Sequence, residues 1–171
     1  TIGNINLKAI AEYTADASID GIYAIASGYN STNDGGHSSI TIGDISISAE
    51  SQDNSAYAGI DYIDAHAIGF NNEATVTVGD ISLSSQANND TAYASLSVQA
   101  YAGAGAPDSA ASNNVATIHL GNISLSAAGI SADGYLTLSS YATSSLNSAS
   151  LTAGDITLNS SSVGAGNDHL E

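Results

Sequence analysis

Apolar and polar residues alternate along most of the chain with a period of two, which is typical of half-buried β-strands. In residues 92–101 this alternation places Ala92 and Leu96 on one face of a strand and Tyr93 and Gln99 on the other. Similar runs occupy residues 22–25, 56–62 and 135–138. Helical spacing is absent, and Ser, Thr, Asn and Gly are frequent in every window where a helix would have to form. The pattern therefore predicts an all-β protein.

A five-residue motif, Gly-(Asp/Asn)-Ile-(Ser/Asn/Thr)-(Leu/Ile), occurs five times. The copies begin at Gly3, Gly43, Gly79, Gly121 and Gly154, at intervals of 40, 36, 42 and 33 residues. The apolar alternation changes phase across the Gly-Asp pair, since Val76 and Val78 are followed by Ile81 and Leu83. Such an interruption indicates a tight hairpin turn or the corner of a solenoid. Glycine would supply a positive φ angle there, and Asp or Asn would hydrogen-bond to nearby backbone.

Five repeats of two or three strands favour a β-solenoid, in which each repeat forms one large coil or two smaller ones. The repeats fill residues 1–162 and begin near Thr1, Ile40, Val76, Ala116 and Leu151. Small Ala and Ser side chains suit the close stacking of coils. The alternative is a β-sandwich or a meander of Gly-Asp hairpins, which the unequal motif spacing slightly favours.

The charge of the chain limits its partners. The 171 residues include 17 acidic side chains and one basic side chain, Lys8, for a formal net charge of −16. Nucleic acid is excluded, because its phosphates are bound by Lys and Arg. No apolar run approaches the roughly 18 residues that would span a bilayer, so membrane insertion is not expected. Calcium is the expected counter-ion, since Ca²⁺ prefers carboxylate and carbonyl oxygens.

The C-terminal segment carries the most specific motif. Residues 164–170 read Gly-Ala-Gly-Asn-Asp-His-Leu and resemble the calcium-binding nonapeptide GGxGxDxUx of RTX proteins, with Val163 in place of the first glycine. The resemblance implies that Gly164, Gly166 and Asp168 belong to a calcium-binding turn. In that family the ion lies between successive turns, so one copy supplies half of a site. Large secreted bacterial RTX proteins leave the cell by the one-step type I route, which the resemblance implies for this chain.

Two interpretations stay open, one for the C-terminal segment and one for the aspartates of the repeat motif. Residues 163–171 are either the start of a calcium-binding array or a tail, because Leu170-Glu171 also fits the junction with a purification tag. The motif residues Asp44, Asp80 and Asp155 are interpreted first as turn residues and second as further calcium ligands.

No set of residues in the sequence forms a recognisable catalytic centre. The histidines lack metal-ligand spacing, and neither a G-x-S-x-G elbow nor a glycine-rich phosphate loop with its lysine is present. Asp61, Asp64 and His66 are close in sequence, but on a regular strand Asp61 and Asp64 would point to opposite faces. We therefore expect no enzymatic activity.

The tyrosines are the remaining candidates for recognition. Tyr57, Tyr93 and Tyr135 each follow the glycine of their repeat by 14 residues, which predicts a column of tyrosines on one face of the stacked coils. Tyr62, Tyr101 and Tyr141 would lie loosely alongside. Such a column would either cover the sheet as a structural stack, the favoured interpretation, or bind sugar rings by stacking.

Together these patterns predict a structural or adhesive extracellular repeat of a large secreted bacterial surface protein, stabilised by calcium. The alternative is a carbohydrate-binding module that uses the tyrosine face, and a polysaccharide-cleaving β-helix is the least favoured. The expected partners are calcium, polysaccharide or another cell surface, and a second copy of the chain through the unpaired ends of the solenoid.

Overall fold

The computed structural model describes residues 1–28, 35–103, 113–143, 146–163 and 168–170, the last three by their backbone alone. All regular structure in this part of the chain is β. The strands are β1 Ile5–Ala11, β2 Ala15–Ile19, β3 Ile22–Gly28, β4 His37–Ile42, β5 Ile45–Ser51, β6 Ala56–Gly69, β7 Glu73–Val78, β8 Ile81–Ala87, β9 Thr91–Gly103, β10 Val115–Leu120, β11 Ile123–Gly129, β12 Ser131–Ala142, β13 Ser148–Thr152, β14 Ile156–Ser162 and β15 Asp168–Leu170.

The strands form three parallel sheets that the chain visits in a fixed order. Sheet A contains β4, β7, β10 and β13, sheet B contains β1, β5, β8, β11 and β14, and sheet C contains β2, β3, β6, β9, β12 and β15. Three coils, β4–β6, β7–β9 and β10–β12, lie between β1–β3, which belong to sheets B and C, and β13–β15, whose strand in sheet C has three residues. The predicted β-solenoid is confirmed, with one large coil for each repeat. The alternative of Gly-Asp hairpins is wrong, because the paired strands of the described residues are parallel and a hairpin joins antiparallel strands.

The core consists of columns of equivalent residues from successive coils. In sheet B, Ile45, Ile81 and Ile123 are in register and each is 1 % exposed. Sheet C contributes smaller side chains at many inward positions, such as the fully buried column Ala56, Ala92 and Ala132. The expected alternation in residues 92–101 is confirmed, since the residues at 92, 94, 96, 98 and 100 are buried. Strand alternation alone therefore directs the apolar residues inward.

One extra residue interrupts the regular register of sheet C. Ile60 pairs with Leu96 but Ile63 pairs with Val98, so β6 contains a β-bulge at residues 61–62. The first coil repeats the extra residue in the break between β2 and β3, where Ile19 pairs with Ile60 and Ile22 pairs with Ile63. The two extra residues therefore lie opposite each other in neighbouring coils.

The unequal motif spacing is accommodated mainly where the chain returns from sheet C to sheet A. Three residues separate β6 from β7, whereas eleven separate β9 from β10. The corner between sheets A and B, in contrast, is the Gly-Asp or Gly-Asn pair at residues 43–44, 79–80 and 121–122. The motif therefore marks a structural corner of constant length.

Candidate functional site

The Asp and Asn side chains of the repeat motif connect neighbouring coils at the A–B corner. The Oδ1 atom of Asp44 accepts a hydrogen bond from the backbone N–H of Asp80 at 3.0 Å, and Oδ1 of Asp80 accepts one from Asn122 at 2.8 Å. Asn4 accepts from Asp44 at 2.9 Å and Asn122 from Asp155 at 3.0 Å in the same way. We call this series the Asx ladder; its members are Asn4, Asp44, Asp80, Asn122 and Asp155. The side chains of Asn4, Asp44, Asp80 and Asn122 thus each satisfy a backbone donor of the following coil.

The motif glycines are required by this ladder and not by their own backbone angles. Among the described residues, Gly69 is the glycine with a positive φ, at 113°, so the expectation of positive φ at the motif glycines is wrong. A Cβ atom at Gly79 would instead overlap the side-chain oxygen of Asp44, and one at Gly121 would overlap that of Asp80. Glycine is needed because the ladder residue of the preceding coil occupies this space.

A second ladder, of buried asparagines, lies at the end of the connection from sheet C to sheet A. Asn114 is fully buried; its Oδ1 accepts from the backbone N–H of Asn72 at 3.0 Å, and its Nδ2 donates to the carbonyl oxygens of Gly69 and Gly103 at 2.8 Å each. The backbone N–H of Asn114 in turn donates to Oδ1 of Asn147 at 3.0 Å. Sequence reasoning missed this asparagine ladder. The available signal was that Asn72, Asn114 and Asn147 each precede a motif glycine by seven residues.

The predicted column of three tyrosines is wrong. Tyr57 and Tyr93 are in register, but Tyr93 faces Asp133, and Tyr135 faces Ser95. The cause is the corner between sheets B and C, which consists of residues 88–90 in one coil and of residue 130 in the next. Because the second corner is two residues shorter, the residue 14 positions after the motif glycine lies two positions further along β12 than along β9.

The outer face of sheet C instead contains a column of one histidine and two tyrosines. The rings of His66 and Tyr101 have centroids 5.5 Å apart and are tilted by 57°. Tyr101 and Tyr141 are stacked, with centroids 5.9 Å apart and 22° between the ring planes. Tyr141 is 59 % exposed, so the column presents an aromatic surface to solvent.

A shallow depression of about 200 Å³ lies on the outer face of sheet C, where the β6 bulge turns two consecutive residues outward. Its polar and aromatic lining residues are Asp61, Tyr62, Ser95, Ser97, Tyr135 and Thr137. The hydroxyl group of Tyr57 donates to Oδ1 of Asp61 at 2.9 Å and lies 2.8 Å from Oγ of Ser95. Burial raises the pKa of the Tyr57 hydroxyl, which therefore remains a neutral donor. The carboxylate of Asp61 is thus held at the edge of the depression.

The bulge also places a buried carboxylate on the outer face. Asp64 is 8 % exposed, and burial raises the pKa of its carboxyl group, an effect that nearby His66 partly opposes. Oδ2 of Asp64 lies 3.9 Å from Nε2 of His66. Oδ1 of Asp64 and Nε2 of His66 are buried without a hydrogen-bond partner among the described residues. The expectation that Asp61 and Asp64 point to opposite faces is wrong, because it assumed a strand without a bulge.

The residues of the RTX-like segment are only partly described. Gly164 and Gly166 lie outside the described residues, and Asp168 begins β15, whose backbone pairs with that of β12 at Ala132. Within the described ranges no group of three or more His, Asp or Glu side chains is arranged to hold a metal ion. Calcium binding at Gly164–Asp168, and by Asp44, Asp80 and Asp155, stays a prediction.

Comparisons with known proteins found no match for this chain. The sequence matches no protein-family model and no curated protein, and no solved structure matches it. Over the part of the chain that the structure describes, no helix is long and apolar enough to cross a membrane.

Proposed function

We propose that this chain is a rigid structural segment of a secreted bacterial surface protein, in which stacked coils provide length and a polar exterior. The observation that carries the proposal is the coil-to-coil linkage: the Asx ladder and the asparagine ladder add side-chain hydrogen bonds to three parallel sheets. A stack held in this way resists shear between coils along its whole length.

The outer surface of sheet B supports a spacer role. Its columns consist mainly of small hydroxyl side chains, such as Ser46, Ser82 and Ser124. Together with the net charge of −16, this surface disfavours aggregation. An extracellular spacer needs these properties and no assembled reactive centre, so catalysis is not part of the proposal.

Calcium is the proposed stabilising ion, bound by the RTX-like segment at residues 164–168. The support is the motif resemblance and the scarcity of basic side chains, since extracellular calcium sites usually bind with dissociation constants of about 10⁻⁴–10⁻³ M. Millimolar Ca²⁺ should raise the melting temperature, and Mg²⁺ at equal ionic strength should raise it less. The variant Asp168→Ala should lose the calcium response. Equal melting temperatures with and without Ca²⁺ would contradict the calcium proposal and leave the spacer proposal standing.

A second candidate function, glycan binding, is favoured by the depression on sheet C. Exposed Tyr62 and half-buried Tyr135 offer rings for stacking against a sugar, and Asp61 with the hydroxyl groups of Ser95 and Ser97 offers hydrogen-bond partners. Two of the tyrosines that the sequence proposes for sugar binding do not serve here, because Tyr57 is engaged with Asp61 and Tyr93 does not line the depression.

A glycan array distinguishes the two candidate functions. Glycan binding predicts a signal that is lost in Tyr62→Ala and retained in Tyr13→Ala, which removes a 67 % exposed tyrosine outside the depression. A pure spacer predicts no signal with any of the three proteins. A signal that both variants lose, or neither loses, would contradict binding in the depression.

A further inference from the structure

The outer face of sheet C carries negative charge without a lysine or arginine to balance it. Asp16 and Asp133 lie in register with tyrosines of neighbouring strands, and the β6 bulge turns Asp61 and Asp64 to the same face. The one basic side chain of the chain, Lys8, lies on β1 of sheet B. A positively charged ligand is therefore attracted to this face, and a negatively charged one is repelled.

Asp61 brings this charge to the depression. The hydroxyl group of Tyr57 donates to Oδ1 of Asp61 at 2.9 Å, and Oδ2 of Asp61 accepts no hydrogen bond from the described residues. Gly59 makes this arrangement possible, because a Cβ atom there would meet the hydroxyl group of Tyr57. The carboxylate is thus fixed through one oxygen atom and exposes the other to a ligand.

Two further carboxylates lie close to Asp61. Desolvation raises the pKa of the Tyr23 hydroxyl group, and the neighbouring groups of Asp64, Tyr62, Asp20 and Asp61 raise it further. Since such electrostatic effects fall with distance, these groups surround the same ring at the bulge. The charges of Asp20 and Asp64 therefore add to the attraction that Asp61 exerts on a cation.

The remaining lining of the depression suits a sugar ring. Tyr62 is 52 % exposed and Tyr135 is half-buried, and both line the depression together with Asp61. A tyrosine ring packs against the apolar face of a sugar and also attracts an ammonium group that lies within about 6 Å of its centroid. The volume of about 200 Å³ is below the roughly 300–1,000 Å³ of pockets for drug-sized molecules, so the depression accommodates a single ring.

We propose that the depression binds an amino sugar with a free ammonium group, which pairs with Asp61 while the sugar ring packs on Tyr62. This inference rests on the glycan-binding candidate and specifies the class of its ligand. An acidic sugar is repelled by the carboxylates, and an N-acetylated sugar lacks the charge that pairs with Asp61. An exposed ion pair together with a cation–π contact should favour the free amine about tenfold in affinity at low salt.

Isothermal titration calorimetry with two tetrasaccharides, one of glucosamine and one of N-acetylglucosamine, tests the ligand class. The wild type should bind the glucosamine tetramer about tenfold more tightly. Asp61→Asn retains an oxygen atom that accepts from Tyr57, and it should reduce the preference to less than about threefold without weakening the binding of the acetylated tetramer. Tyr62→Ala should weaken the binding of both tetramers.

Asp16→Asn is the matched control, because it removes the same charge from the same face but outside the depression. It should retain most of the preference for the glucosamine tetramer. Loss of the preference in Asp16→Asn to the same extent as in Asp61→Asn would show that the overall charge acts without a site, and would overturn the inference.

Three further outcomes separate this inference from the glycan-binding candidate. Equal affinities of the wild type for the two tetramers, both weakened by Tyr62→Ala, would overturn the inference and leave glycan binding standing. Binding of neither tetramer would contradict both. Tetralysine carries the same number of side-chain ammonium groups without sugar rings, and its binding as tightly as the glucosamine tetramer would overturn the assignment of an amino sugar.

Discussion

At the residue scale, the glycine at each A–B corner shows how one coil constrains the next. The side-chain oxygen of each ladder residue accepts a hydrogen bond from the backbone of the next coil, and only a hydrogen atom in place of Cβ at the next motif glycine leaves room for it. The repeated Gly-Asp pair is therefore a packing rule between coils, although in the sequence it resembles an ordinary turn signal.

Substituting two glycines of the same motif separates packing from backbone flexibility. Gly79→Ala should lower the free energy of unfolding by about 1–3 kcal/mol, because its Cβ atom would overlap Asp44. Gly3→Ala should change it by less than about 0.5 kcal/mol, because the corresponding space is open. Urea denaturation of the two variants, at concentrations where the protein is monomeric, measures both effects. Equal losses in the two variants would show that flexibility, and not the ladder, selects glycine.

Buried asparagine gives a second prediction at this scale. Asn114→Ala should lower the free energy of unfolding by at least about 3 kcal/mol, since it leaves the N–H of Asn72 and the carbonyl oxygens of Gly69 and Gly103 without their partner in the interior. The adjacent Asn113 is exposed, so Asn113→Ala should cost less than about 0.5 kcal/mol. Chemical denaturation of the pair checks the contrast. A loss below about 1 kcal/mol for Asn114→Ala would mean that water replaces the ladder.

At the element scale, strand β6 departs most from a regular solenoid strand. Its bulge turns Asp61 and Tyr62 outward together and shifts Asp64 to the outer face as well. The depression and the buried carboxylate both follow from this single extra residue. The matching extra residue between β2 and β3 keeps both of these strands in register with β6.

The elements also show which features a sequence can predict. Period-two alternation and the recurring motif identified the strands and the solenoid, because both reflect contacts repeated in every coil. The tyrosine column failed because corner length changes from coil to coil, and a count from the glycine carries no information on that change. The bulge was missed although Ile60 and Ile63, which are three residues apart, already break the period of two in the sequence. The asparagine ladder was missed because asparagines near turns are usually assigned to the turn itself.

The buried carboxylate of β6 predicts a pH dependence of stability. A raised pKa means that the folded protein binds the proton of Asp64 more tightly than the unfolded chain does. The contribution of Asp64 to the free energy of unfolding therefore falls as the pH rises from 3.8 through the raised pKa. Asp64→Asn removes this titration, and the variant should therefore gain stability relative to the wild type at neutral pH and lose that gain below pH 3.8. Urea denaturation at the two pH values measures the difference. Glu50→Gln, at an exposed position, is the control and should change stability little at either pH; a pH-independent effect of Asp64→Asn would contradict the argument.

At the scale of the whole molecule, each coil is stabilised only by its neighbours. Parallel pairing connects each of the three sheets from coil to coil, and long-range contacts across many coils are not available in such an architecture. Interior coils have a neighbour on both sides, whereas the last coil has one. Stability should consequently fall towards the ends.

The same substitution, made in an interior coil and in the last coil of one column, measures this decrease in stability. Leu83 and Leu158 belong to one column of sheet B, but Leu83 is fully buried between two coils and Leu158 is only partly buried in the last one. Leu83→Ala should cost about 3 kcal/mol through lost burial and a cavity closed on both sides. Leu158→Ala should cost about 1 kcal/mol or less in the monomer, because much of its surface already meets water. Equal costs for the two substitutions would contradict the predicted fall in stability towards the last coil.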